Sequence, residues 1–279
     1  YNTGDVGGEI WAPSGIHIFP ATDDLELNIN AVNLPEGKYK EAYRRVETTD
    51  LVYYDDAYPS SDRDGLLPNQ TGWQSSPIQG QTNQPETIKV PLQEKLGGKT
   101  GLLAYGVAAR TNTYKQENEE KWREASYYGM VQLTNLGAFV QWFPDAALIR
   151  VNHLSDGAAV AGANVEIYRS QLGAKSRPQP QACATGKTDA NGTLALSPDA
   201  VQKCNPSDKE PPELVVIARE NSDWAFTRIR QYSGAYGYGI YSDWNAGESL
   251  SRGTIFSDRQ LYQPGELAQI KQDATTLQK

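Results

Sequence analysis

The 279 residues are 38% hydrophobic and 22% charged, with 25 glycines, 16 prolines, 16 tyrosines and a single methionine, a mix that suits β-sandwiches in two domains, or two and a fragment. A net charge of -8 argues against a nucleic-acid partner and against an anionic membrane surface, since both need a basic face. No apolar run approaches the ~20 residues of a membrane-spanning helix, so no direct membrane insertion is expected.

The chain opens at Tyr1 on a polar, glycine-rich segment with neither an initiator methionine nor a leader, and it is read as a piece of a longer protein. "DLELNINAVNLP" alternates, with Leu25, Leu27, Ile29 and Ala31 on one side, which predicts a half-buried strand. From Tyr39 to Pro85 the sequence turns polar and is expected to form long loops with at most one short strand or helix. "ETIKVPL", "GLLAYGVAARTN" and "REASYYGMVQLTNLG" follow as strands. The charged run "YKQENEEKWRE" between the last two is expected to be a hairpin tip rather than a helical turn.

A second unit is expected from about Gly137. "AFVQWF", "AALIRVNHL", "AGANVEIYR", "TDANGTLAL", "ELVVIARE" and "WAFTRIR" belong to a set of about seven short strands, with Asn191-Gly192 as the strongest turn signal. Cys183 and Cys204 lie 21 residues apart with no histidine near them in sequence, so a disulfide is favoured over two free thiols, and a metal site would need more ligands. Closure of such a loop contributes roughly 3 kcal/mol in the chain-entropy model, and an oxidised pair would place the chain outside the cytoplasm. In "IFSDRQLYQPGELAQIK", Ile255 and Leu261 fall on one side and Phe256 and Tyr262 on the other, and Pro264-Gly265 sets a type II turn. That reads as the first hairpin of a third unit.

Catalytic chemistry finds little footing. His17 and His153 are the only histidines; Asp156 follows His153, but no G-x-S-x-G elbow accompanies them. The pairs Asp23-Asp24 and Asp55-Asp56 lack the spacing of a calcium loop. "GAYGYG" lacks the helix and Lys-Ser/Thr of a phosphate loop. No catalytic residue, metal or cofactor is assigned. The crowd of Tyr232, Tyr236, Tyr238, Tyr241 and Trp244 reads as an inter-domain aromatic cluster, with a carbohydrate-stacking platform on an adhesion or carbohydrate-binding module of a cell-surface protein as the rival.

Three segments resemble the bacterial alpha-2-macroglobulin family. "GTIFSDRQLYQPGELAQIK" is similar to its recurring domain opening, through Asp258, Arg259, Leu261, Tyr262, Pro264, Gly265 and Glu266. "VQLTNLGAFVQWFPDAALIRVNHLSDGAAVAGANVEIYR" resembles a strand ending in Asn-Leu-Gly and the domain after it, and "GKTDANGTLAL" resembles the hairpin that follows. The resemblance implies an all-β fold of tandem immunoglobulin-like (macroglobulin-like) antiparallel β-sandwiches. The expected division is 1–135 with long loop insertions, 136–253 with the cysteine-bridged segment, and 254–279 as the first hairpin of an incomplete third domain. It further implies a periplasmic or extracellular protease trap, with a lipid-anchored parent as one form. Its partners would be target proteases, met through the full-length protein, and neighbouring macroglobulin-like domains. The family's thioester needs Cys-x-x-Gln; Cys183 is followed by Ala-Thr-Gly and Cys204 by Asn-Pro-Ser, so neither fits, and no bait region is identifiable. A scaffold role, without enzyme activity, is what remains for these residues.

Overall fold

The computed structural model describes residues 4–21, 25–55, 65–78, 80–207, 210–230 and 244, and the backbone of 251–257 and 270–276. The first half supplies β1 (Glu9–Trp11), β2 (Gly15–Phe19), β3 (Glu26–Val32), β4 (Lys38–Val46), β5 (Gln74–Pro77), β6 (Glu86–Pro91), β7 (Gly101–Gln116) and β8 (Glu119–Leu133). Helices α1 (Asp50–Tyr53) and α2 (Leu92–Leu96) are short insertions. One sheet has the order β1-β3-β6, the other β2-β8-β7-β4-β5. Their pairing is antiparallel except that β2 runs parallel to β8, a departure from the all-antiparallel expectation.

The second half supplies β9 (Leu136–Trp142), β10 (Ala147–His153), β11 (Asn164–Arg169), β12 (Ala184–Lys187), β13 (Thr193–Leu196), α3 (Pro198–Cys204), β14 (Leu214–Glu220) and β15 (Asp223–Ile229). These form a sheet β12-β11-β14-β15 facing a sheet β13-β10-β9. The run "TDANGTLAL" does not close a simple hairpin: β12 pairs with β11 while β13 pairs with β10, so the turn carries the chain from one sheet to the other. Asp189 accepts backbone N–H bonds from Asn191 and Thr193 there. Gly192, at φ +71°, has no room for a side chain, since a Cβ would lie 2.5 Å from the Val151 carbonyl. Beyond these, β16 (Ser251–Ser257) pairs antiparallel with β17 (Ile270–Thr276). Residues 258–269, which hold the Pro264-Gly265 step, fall outside the described set.

Three apolar cores separate the four large sheets. Leu27 and Ile29 of β3 meet Leu103, Tyr105 and Val131 in the first. Ile149 and Val151 of β10 meet Val165, Ile167, Leu214 and Val216 in the third. The second core lies between the sandwiches, where Leu102, Ala104 and Met130 meet Val215, Ile217 and Trp224. Residues of β7 and β14 therefore face a core on each side. A strand buried on both faces loses the polar-outward alternation and reads as a continuous apolar run, as "GLLAYGVAA" and "LVVIA" do.

The expectation of loops from Tyr39 onward is corrected by β4, nine residues long and paired with β7 in the interior of its sheet. Its polar side chains are satisfied partly within the strand and partly by other elements. Tyr39, Glu41 and Tyr43 share a side; both phenols donate to Glu41 Oε2, at 3.2 and 2.8 Å, and Ser76 Oγ donates to Oε1 at 2.8 Å. Arg45 donates to the Leu96 carbonyl at 3.1 Å. Burial first, then the Glu41 charge, push the Tyr39 phenol up to about 12 and raise Tyr43 as well. The Glu117-Asn118 step is a hairpin tip as expected, with both residues at positive φ.

Candidate functional site: the joint between the sandwiches

Among the described residues a tertiary polar network lies where α1 meets the strand β15. Asp50 Oδ2 accepts the Glu47 backbone N–H at 3.0 Å, starting a single turn whose apolar Leu51, Val52 and Tyr53 are buried in the middle core. A helix this short leaves carbonyls without intrahelical donors. Arg228 supplies them: its Nη2 donates to the Leu51 and Tyr54 carbonyls at 2.6 and 2.7 Å. A cation at a helix C-terminus is also favoured by the backbone dipoles.

Further contacts surround that clamp. Arg230 engages Asp55 with both terminal nitrogens, at 2.8 and 3.2 Å. The Gln171 N–H donates to the Val52 carbonyl at 2.7 Å, and the Tyr53 hydroxyl to the Pro178 carbonyl at 2.6 Å. Arg177 donates to the Tyr54 hydroxyl at 2.6 Å and lies over its ring. Arg219 is held by Glu166 at 3.0 Å and donates to Thr48 Oγ1. Inside the core, Gln132 is fully buried and its Nε2 donates to the Trp224 carbonyl at 2.9 Å.

On the first sandwich's side, Trp73 packs against Gly106, where a Cβ would come within 2.3 Å of the indole. The indole N–H donates to the Pro68 carbonyl at 2.8 Å, and Tyr128 meets the ring edge-on. The apolar seam is thus closed by Arg228 on two main-chain carbonyls and by Arg230 on a carboxylate.

The sequence-derived candidates are placed as follows. A disulfide joins Cys183, just before β12, to Cys204 at the end of α3, pinning Val201 into the third core. Asp258, Arg259, Leu261, Tyr262, Pro264, Gly265 and Glu266 lie outside the described residues, as do Tyr232, Tyr236, Tyr238 and Tyr241. Trp244 is described and packs against the third core. His153 ends β10 in a turn, where its N–H donates to the Ala158 carbonyl, and His17 lies near the Ser14 carbonyl. Among the described residues no three His, Cys, Asp or Glu side chains group as a metal site would require, and no helix is long and apolar enough to cross a membrane.

Arg228 and Arg230 were not singled out from sequence, and Asp55 was weighed only as half of an acidic pair for calcium. A signal was present: Trp224, Phe226 and Arg228 alternate along β15, so a cation shares a side with two aromatics. A buried cation on an apolar side demands acceptors on whatever packs there.

Residues 133–236 match the family described as the bacterial alpha-2-macroglobulin MG3 domain. The chain is 56% identical over 271 residues to the alpha-2-macroglobulin homolog of Nostoc sp. (strain PCC 7120), an alignment covering 96% of this chain and 14% of that protein. The chain thus spans 14% of the length of the curated relative it matches. It is similar to the solved native alpha-2-macroglobulin from Escherichia coli spanning domains NIE-MG1, with TM-score 0.49, 15% identity, and 81% and 99% of the two chains covered. It is also similar to Salmonella alpha-2-macroglobulin reacted with methylamine, with TM-score 0.46, 15% identity, and coverage of 96% and 15%. More than half of the aligned residues match one homolog across nearly the whole chain, and an MG3 region lies within it: the chain belongs to the bacterial alpha-2-macroglobulin family.

Proposed function

We propose that this chain is a scaffold segment of a bacterial alpha-2-macroglobulin-type protease inhibitor. It holds part of the trap's shape and transmits its closure, and it performs no catalysis. The observation that carries this reading is the joint, where an apolar seam and the Arg228 and Arg230 forks make two sandwiches one load-transmitting body. In this reading, residues 1–135 and 136–253 are macroglobulin-like domains, and β16 with β17 opens a third. Both cysteines are consumed in one disulfide and neither has the Cys-x-x-Gln spacing, so covalent capture and bait cleavage belong to other parts of the full-length protein. The disulfide favours a periplasmic or extracellular setting.

Two measurements test it. The full-length protein should inhibit a trypsin-like protease, whereas the 279-residue chain alone should leave the protease fully active at equimolar ratio. Stoichiometric inhibition by the isolated chain, or none by the full-length protein, overturns the reading.

A further inference from the structure

The first sandwich has an exposed apolar strand edge among the described residues. Among the described residues β2 is the last strand of its sheet, and its outer edge has no partner. Unpaired edges are usually blunted by lysine, proline or a bulge. "GIHIF" has none of these between Gly15 and Phe19. Its apolar side chains are instead exposed on both sides: Ile18 is 52% and Phe19 40% accessible, and Trp11 on the neighbouring edge strand β1 is 52%.

Between those two edges runs a groove of about 310 Å³. Its floor is Leu27, Leu92 and Val131, all buried, and Trp11, His17 and Phe19 form its rim. The volume suits one or two apolar side chains. An unpaired strand edge beside an apolar groove is what β-strand addition uses: main-chain hydrogen bonds hold the incoming strand, and pockets select its alternate side chains. Apolar patches of this kind on soluble proteins mark contact sites.

We infer that an extended segment of the same full-length polypeptide, lying outside residues 1–279, adds to the edge of β2 and seats an apolar side chain in the groove. This rests on the reading of the chain as one segment of a longer inhibitor. The matched relative has about six times as much polypeptide outside the aligned region, because the chain covers 14% of it. A segment tethered in the same chain meets the edge intramolecularly, at a concentration that does not fall on dilution, which favours it over a second copy. His17 and Glu26 are the titratable groups lining the groove, so the occupant is chosen by shape and apolar character rather than by charge.

The test compares Ile18→Cys in the 279-residue chain and in the full-length protein, with maleimide incorporation read by mass spectrometry of the peptide holding position 18. Ala190→Cys, in the exposed turn before β13, gives the unshielded rate in each. The inference expects the thiol at position 18 to label at least tenfold more slowly, relative to position 190, in a monomeric full-length protein than in the isolated chain. Equal relative rates overturn it. Protection that appears only with a dimeric mass, or already in a self-associated isolated chain, also overturns it and assigns the edge to a second copy. Labelling is independent of inhibition, so the two proposals fail separately: a protein that inhibits but labels freely sinks only the docking, and one that is protected but inhibits nothing sinks only the scaffold reading.

Discussion

Asp55 and Arg230 lie 175 residues apart in the chain, yet the guanidinium meets the carboxylate through both terminal nitrogens, at 2.8 and 3.2 Å. The pair extends the Arg228 clamp on α1, so the polar edge of the joint is a continuous strip of cations from β15 and its tail set on acceptors of the first sandwich.

Because both partners of that ion pair are partly solvated, screening limits what it contributes. Arg230→Met should lower stability in urea unfolding by about 1 kcal/mol. Asp55→Asn should behave alike, and the double variant should cost less than the two singles added together. Strict additivity would show that the contact does not couple the sandwiches.

The disulfide predicts a larger effect. Replacing Cys183 and Cys204 with serine, or reducing them, should lower stability by about 3 kcal/mol, chiefly by freeing the unfolded chain. A urea midpoint unchanged by reductant would contradict this.

Gly106→Ala tests the seat of Trp73. The backbone there is not at positive φ, so the cost is steric: the indole must leave its place over β7. A loss of about 1–3 kcal/mol is expected, with a shifted tryptophan emission. Unaltered emission and stability would mean that the ring is not held there.

Alkaline stability follows from the Tyr39–Glu41–Tyr43 cluster. The folded chain favours the protonated phenol, with Tyr39 pushed up to about 12 and Tyr43 moved in the same direction. Its contribution is therefore fully present below the ordinary phenol value of about 10 and is lost as pH rises through about 12. Tyr39→Phe should flatten part of the decline in urea-measured stability between about pH 10 and 12. An identical pH profile in the variant would rule the phenol out as a cause.

Local pattern made most of the strands legible. In "ELNINAV" the buried residues Leu27, Ile29 and Ala31 recur at period two, a property of the strand alone. The seven strands β9 to β15 were countable because turn residues punctuate them, and the hairpin tip at Glu117 and Asn118 stood out by its charge. β4 was illegible for a physical reason. Its buried Glu41 looks like loop polarity until burial in the sheet brings Ser76 of β5 to join the two phenols of its own strand around it.

The sequence alone determined the strand periodicity, the turn chemistry at Gly192 and the family of the chain, since these depend on neighbours a few residues apart or on the residues themselves. Tertiary structure decided which sheet each strand joins, as the split of β12 from β13 shows. It also decided that β7 and β14 are covered on both faces, and that Arg228 and Arg230 close the joint on residues some 175 positions away. Hydrogen-bond satisfaction is a global condition: a buried cation states that an acceptor must exist, and only the fold says where it comes from.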